Sequence, residues 1–244
     1  MSLGVVKDTY EKLGQDDPLY AILSQKRFRH NRWDLGEFFQ TGKREIREVL
    51  QYVDRLGLPL QQQRALDFGC GVGRLSQALA DHFERVVGVD ISQSMVRRAE
   101  QCNVHGNRVR YLANAADNLE ILDDDSFDFI YSNITLQHIP PESAGEYIRE
   151  FFRVLRRGGL AVFQVPSGRP YKAGSLAAWI YMVRRRYLRR IWKMARGLPP
   201  VEIHYIARAR VEHIVHQSGG RIVDIVDVGK GRRRGRNFRY CATK

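Results

Sequence analysis

The chain has 244 residues, 43% of them hydrophobic and 10% aromatic, enough to bury one sizeable core and too apolar for disorder as a whole-chain state. Forty Lys and Arg face 27 Asp and Glu, and the imbalance is local: residues 1–167 carry 21 basic and 23 acidic side chains, residues 168–244 carry 19 and 4. No uncharged apolar run approaches the roughly 18 residues of a membrane-crossing helix, and Met1 to Asp8 has neither the basic start nor the apolar stretch of a secretory signal. Cys70, Cys102 and Cys241 are too few and too scattered for a disulfide framework or a metal site, so no metal is expected and a reduced, cytoplasmic setting is. The basic C-terminal region suits phosphate, nucleic acid or an anionic membrane surface, the last implying a place at the membrane periphery; as a solvated face it needs no partner.

In chain order, residues 1–35 read as an irregular leader in which Tyr10, Tyr20, Phe28 and Trp33 mix with charged residues. Ile46, Val49, Leu50 and Val53 then form a helical stripe over Lys43 to Leu56, ended by Gly57 and Pro59. From Arg64 the pattern alternates. Ala65–Phe68 predicts a strand, Arg74–Phe83 a helix, Arg85–Val89 a strand reaching Asp90, Ser92–Cys102 a helix and Val109–Leu112 a strand. Phe127–Tyr131 predicts a fourth strand, Glu142–Leu155 a helix stopped by Gly158-Gly159, and Leu160–Val165 a fifth strand. Residues 168–205 break the rhythm, after which Val211–Gln217 predicts a helix and Arg221–Val228 and Phe238–Ala242 two last strands. Strands separated by helix-length segments need crossover connections, so the expected fold is α/β: a mostly parallel sheet with helices on both faces. The expected organisation is a leader and helix over 1–60, a core over 61–167, a basic insertion over 168–205, and a helix with the last two strands over 206–244.

Asp67-Phe68-Gly69-Cys70-Gly71-Val72-Gly73 lies between the first strand and its helix, where a doubly wound sheet places its ligand crevice. Glycines there let backbone approach a ligand closely. Asp90 ends the next strand, where a carboxylate accepts hydrogen bonds from two ribose hydroxyls. The Gly-x-Gly-x-Gly spacing, with a carboxylate two residues before it, opposes a pyrophosphate and suits a ligand that carries an ammonium.

These residues resemble the class I S-adenosylmethionine (SAM)-dependent methyltransferases. The resemblance runs from Ala65-Leu-Asp-Phe-Gly-Cys-Gly-Val-Gly-Arg74 through Val87-Gly-Val-Asp-Ile-Ser92 with Met95, Ser126-Phe-Asp-Phe-Ile-Tyr-Ser132 and Leu136-Gln-His-Ile-Pro140 to Phe152-Arg-Val-Leu-Arg156-Arg-Gly-Gly-Leu160. It implies a Rossmann-like, seven-stranded sheet whose last strand is antiparallel. SAM is then the cofactor and S-adenosylhomocysteine the product. The glycine loop (Gly69, Cys70, Gly71, Gly73) would underlie the methionine part of SAM, with Asp67 near its amino group and Asp90 on the ribose. Ile91 and Met95 would lie beside the adenine. Asn114 and Ala115 occupy the stretch that reads the adenine, where the family often has Asp; Asp117 leaves that assignment open. Ser132 and Asn133 would face the sulfonium and the acceptor.

His138 follows the fourth strand and is a candidate general base, with a pocket-wall role as the alternative. His204 and Tyr205 stand where the insertion rejoins the fold, as a second candidate base and a cap on the pocket. Trp33, Phe38 and Phe39 can form a lid over the cofactor or staple the first helix to the core. In the insertion, Leu176, Ile180, Val183, Tyr187, Ile191 and Met194 recur at helical spacing, arginines crowd the other faces, and Trp179 and Trp192 lie near the ends. Such a helix can cover a site, lie on an anionic bilayer, or pack with its arginines solvated. The leading expectation is methyl transfer to oxygen or nitrogen of a small-molecule or lipid-linked acceptor. An RNA or other nucleic-acid methyltransferase using the basic C-terminal region comes second, although neither the Asn/Asp-Pro-Pro-aromatic motif nor a Pro-Cys pair is present. A non-catalytic SAM-binding accessory subunit is third.

Overall fold

The computed structural model describes residues 2–168, 176, 179–180, 201–229 and 236–244. The helices are α1 (Leu3–Asp16), α2 (Pro18–Ile22), α3 (Leu35–Arg55), α4 (Arg74–Leu79), α5 (Gln93–Cys102), α6 (Pro141–Val154) and α7 (Arg208–Gln217). The strands are β1 (Arg64–Phe68), β2 (Arg85–Asp90), β3 (Val109–Ala113), β4 (Phe127–Ser132), β5 (Leu155–Pro166), β6 (Arg221–Asp227) and β7 (Asn237–Thr243). They form one seven-stranded sheet in the order β3-β2-β1-β4-β5-β7-β6. Its pairs are parallel from β3 to β5, and β7 runs antiparallel to both β5 and β6.

Alternation along each strand divides the core. Leu66, Phe68, Ile130, Ala161 and Phe163 pack against α6 and α7, while Ala65, Phe129, Tyr131 and Val162 pack with Ile46, Val49 and Leu79 of α3 and α4. The same parity turns Asp67 toward α4, with consequences described below.

Three sequence expectations are corrected. The leader is not irregular: α1 and α2 occupy most of it, followed by a 3-10 turn at Lys26–Phe28. The helix expected from Lys43 begins at Leu35, because Asp34 caps it by accepting from the Glu37 N–H at 2.8 Å. The fifth strand starts at Leu155, not Leu160; Gly158 and Gly159 fall inside β5, where the register against β4 shifts between Phe127 and Phe129. The amphipathic stripe expected in the insertion lies largely outside the described residues; Leu176, Trp179 and Ile180, which are described, are helical and exposed.

Candidate active site

The parallel strands deliver their C-terminal ends to one edge, and a cavity of about 800 Å³, counted to its open mouth, lies there. Its floor is Phe68, Gly69 and Gly71 after β1, with Asp90 and Ile91 after β2 and Asn114 after β3. Asn133, Thr135 and His138 form the wall beyond β4, and Leu3, Val6 and Tyr10 of α1 with Ala21 and Ile22 of α2 form a roof.

The glycine loop has left-handed backbone at Gly69 (φ 82°) and Gly71 (φ 53°), conformations that side-chain-bearing residues rarely adopt. A Cβ on Gly69 would collide with Thr135 and one on Gly71 would meet Ile22 Cδ1 at 2.5 Å, so both glycines are also required by packing. The loop is tied to β2 by Gly69 and Cys70 N–H groups donating to Val89 O at 2.8 and 3.0 Å.

Asp90 reinforces the tie. Its Oδ2 accepts from Gly71 N at 2.8 Å and its Oδ1 from Ser92 N at 2.9 Å. Burial raises its pKa, while those backbone N–H groups act the other way. Each oxygen keeps a lone pair for a hydroxyl donor. Ser92 caps α5 by accepting from Met95 N at 3.2 Å and donates its own hydroxyl to Glu11 of α1 at 2.9 Å.

Of the sequence-predicted donor-site residues, Gly69, Gly71, Asp90, Ile91, Met95, Asn114 and Asn133 line this cavity. Others do not. Asp67 sits behind the loop, where its Oδ2 accepts from Ser76 Oγ of α4 at 2.6 Å. Cys70 is buried with its thiol pKa pushed well up by burial, which removes nucleophilic character. Gly73 is the N-cap of α4, and Ala115 is exposed. Ser132 donates to Phe68 O at 3.0 Å, joining the ends of β4 and β1. Asn114 spends its amide on its own turn, donating to Asn118 O at 2.6 Å and accepting from Ala116 N at 3.2 Å.

Trp33, Phe38 and Phe39 lie behind the roof. Trp33 stacks on Phe28 with ring centroids 3.6 Å apart, meets Phe38 edge-on at 5.6 Å, and clusters with Leu19, Val72 and Met95. This cluster backs Ala21 and Ile22, so its aromatics support the cover without forming its inner surface.

His138 lines the cavity, and Tyr10 approaches it with ring centroids 5.7 Å apart. His138 Nδ1 lies 2.8 Å from Glu202 O, which can only accept, so Nδ1 carries the proton. Nε2 then accepts from Gln137 Nε2 at 2.9 Å. Burial lowers the His138 pKa, so the ring is neutral at neutral pH. His204 donates its main-chain N–H to Gln137 O at 2.7 Å, and the charge of its ring, when protonated, acts on His138 to lower its pKa further. Neither it nor Tyr205 is part of the cavity lining. Ile134, between Asn133 and Thr135, has φ 65°, a strained conformation for a β-branched residue and one that marks the mouth as built.

Sequence reasoning missed the roof and Glu45. Leu3, Val6, Tyr10 and Leu13 recur at spacings of three and four, a helical signal diluted by Gly4 and Gly14. Among the described residues there is no group of three or more His, Cys, Asp or Glu arranged to hold a metal, and no helix long and apolar enough to cross a membrane.

A family profile described as a methyltransferase domain matches residues 66–163, the span from β1 into β5. Phosphoethanolamine N-methyltransferase of Triticum aestivum is 35% identical over 124 residues, 50% of this chain and 23% of that protein. Ubiquinone biosynthesis O-methyltransferase of Nitrosomonas europaea is 25% identical over 182 residues, 74% of this chain and 76% of that one. Magnesium protoporphyrin IX methyltransferase of Synechocystis, solved with bound S-adenosylhomocysteine, superposes with a TM-score of 0.63 at 19% identity, covering 99% of both chains. The fold is Rossmann-like α/β. Residues 66–163 are thus similar to methyltransferase domains.

Proposed function

We propose that the chain transfers a methyl group from SAM to oxygen or nitrogen of a small-molecule acceptor held between the glycine loop, His138 and the α1 roof. One observation carries this reading: a single cavity holds both a built donor half, with Gly69, Gly71, Asp90 and Met95, and an apolar, covered half ending at Tyr10 and His138. The donor half fits SAM because Gly69 and Gly71 line it with no side chain in the way, Asp90 keeps lone pairs for ribose hydroxyls, and Ile91 and Met95 offer apolar surface to a base. Relatives named for O- and N-methylation support a small acceptor.

SAM supplies an activated methyl group on a sulfonium, so the protein's work is positioning and exclusion of water. Asp90 and the loop orient the donor, and Leu3, Val6 and Ile22 cover it. Where the acceptor must lose a proton, His138 Nε2 is the atom placed to receive it once Gln137 yields its hydrogen bond, with Glu202 O holding the tautomer. A base with its pKa below the usual 6.5 predicts a rate that falls as pH drops below that range. His138→Gln removes that dependence while leaving donor affinity unchanged; a pH–rate profile alongside donor titration checks it.

The primary experiment follows labelled methyl groups from SAM into a cell extract fractionated into small molecules, lipid, protein and nucleic acid, with Asp90→Ala as control. Label in the small-molecule fraction supports the proposal and identifies what to purify. Label in lipid moves it to a lipid-linked acceptor, and label in RNA overturns it.

A further inference from the structure

Behind the cavity, Glu45 of α3 receives three hydrogen bonds. Its Oε1 accepts from Tyr131 Oη at 3.0 Å and Asn133 Nδ2 at 2.6 Å, and its Oε2 accepts from Arg74 at 2.8 Å. Arg74 is 4% exposed and Glu45 22%, so the pair is buried on its arginine side and partly open on its carboxylate side. α3 lies outside the span that matches the methyltransferase domain.

A carboxylate only accepts, so the nitrogen of the Asn133 amide must be the end that faces Glu45. The other end, Oδ1, is then turned away from Glu45; Asn133 lines the cavity, and no hydrogen bond from a described residue reaches that oxygen. A flipped amide would set oxygen against carboxylate. Glu45 thereby determines which polar atom the cavity wall presents beyond β4: a hydrogen-bond acceptor.

The position gives that acceptor a use. Asp90 ends β2, β1 comes next in the sheet, and Asn133 follows β4 on its far side. Two strand spacings separate them, about 10 Å. A donor with its ribose on Asp90 crosses the glycine loop and puts its amino-acid end near Asn133. Asp67, the carboxylate that the motif offers for the ammonium, is turned to Ser76 and does not line the cavity. We propose that Glu45 is a positioning residue of the donor site, holding the Asn133 amide so that its Oδ1 receives the α-ammonium of the bound donor. This rests on the SAM-binding reading above and adds a residue from outside the matched domain.

The test compares two ligands by calorimetry: S-adenosylhomocysteine, and 5′-methylthioadenosine, which keeps the adenosine and thioether but lacks the amino-acid end. Asn133→Ala and Glu45→Ala each weaken S-adenosylhomocysteine about tenfold, the size of one lost charge-assisted hydrogen bond, with methylthioadenosine affinity changed by less than about twofold. In the double variant the losses do not add, because Glu45 acts through Asn133. Where Glu45→Ala leaves Arg74 unpaired and the chain unfolded, Glu45→Asp replaces it, keeping a charge for Arg74 but withdrawing it from Asn133. Parallel loss of both ligands shows a merely structural role and overturns the proposal, as does unchanged S-adenosylhomocysteine binding in either variant. A wild-type protein that binds neither ligand overturns the donor site itself.

Discussion

Two carboxylates close the first two strands, and their surroundings give them different work. Asp90 opens to the cavity while its oxygens are aligned by the N–H groups of Gly71 and Ser92. Asp90→Ala removes both that alignment and the hydroxyl acceptors, and should weaken SAM binding by about 2–4 kcal/mol; an unchanged dissociation constant in calorimetry would remove the ribose from this position. Asp67 is sealed behind the loop, and burial lifts its pKa from 3.8 to about 7 against the opposing pull of Ser76. Its folded-state pKa is raised, so the contribution to stability is full below 3.8 and is lost as pH rises through about 7. Asp67→Asn cannot ionise and escapes that loss. Its stability relative to wild type, measured by urea unfolding, should therefore improve between about pH 4 and pH 8. Equal differences at the two pH values would show an Asp67 that ionises normally. Comparing two pH values in one variant cancels whatever the amide does to packing.

At the scale of elements, the roof is tied to the body through Glu11. Glu11 accepts from Ser92 Oγ at 2.9 Å and Ser94 N at 3.0 Å, and its carbonyl accepts from Ser94 Oγ at 3.0 Å. These join α1 to the start of α5, beside Met95. Glu11→Ala should speed amide exchange over residues 3–16 while leaving the β1–β4 amides protected. Uniform acceleration throughout the sheet would mean that α1 is part of the global folding unit. The same element shows where sequence reading stops. The glycine loop, Asp90 at the end of β2 and the succession of strands along the chain were legible because each depends on local chemistry: a turn that needs glycine, a carboxylate ending a strand, apolar runs with crossover spacing. α1 was not, since its apolar spacing is interrupted by glycines and its partner, Ser94, is some eighty residues away. The face that Asp67 takes was hidden for a related reason: a motif gives position along a strand, whereas the face is set by alternation, and parity assigns Asp67 to the α4 side. Glu45 carries no motif, and only the approach of α3 to β4 gives it meaning.

The whole molecule separates a nearly neutral body from a basic excursion. Ile206 N donates to Pro166 O at 2.9 Å and Arg208 N to Ser167 Oγ at 2.7 Å, so the chain that leaves after β5 returns to the same point before α7. The seven strands, and Gly69, Gly71, Asp90 and Met95 of the cavity, all lie outside residues 169–200. That stretch carries nine basic and no acidic side chains, so replacing it with a flexible linker of about eight residues reduces the net charge from +13 to +4. Residues 201–206 are kept, because Glu202 O orients His138 and His204 N holds Gln137. The shortened protein should fold and bind S-adenosylhomocysteine within about threefold of wild type. Methyl transfer to the native acceptor should fall much further if the excursion recognises that acceptor, and the ionic-strength dependence of the remaining rate should flatten as the charges leave. Collapse of donor affinity would instead place the excursion in the donor site. Unchanged turnover and unchanged salt dependence would leave its arginines to solubility, and acceptor selection would rest with Tyr10, His138 and the mouth at Ile134.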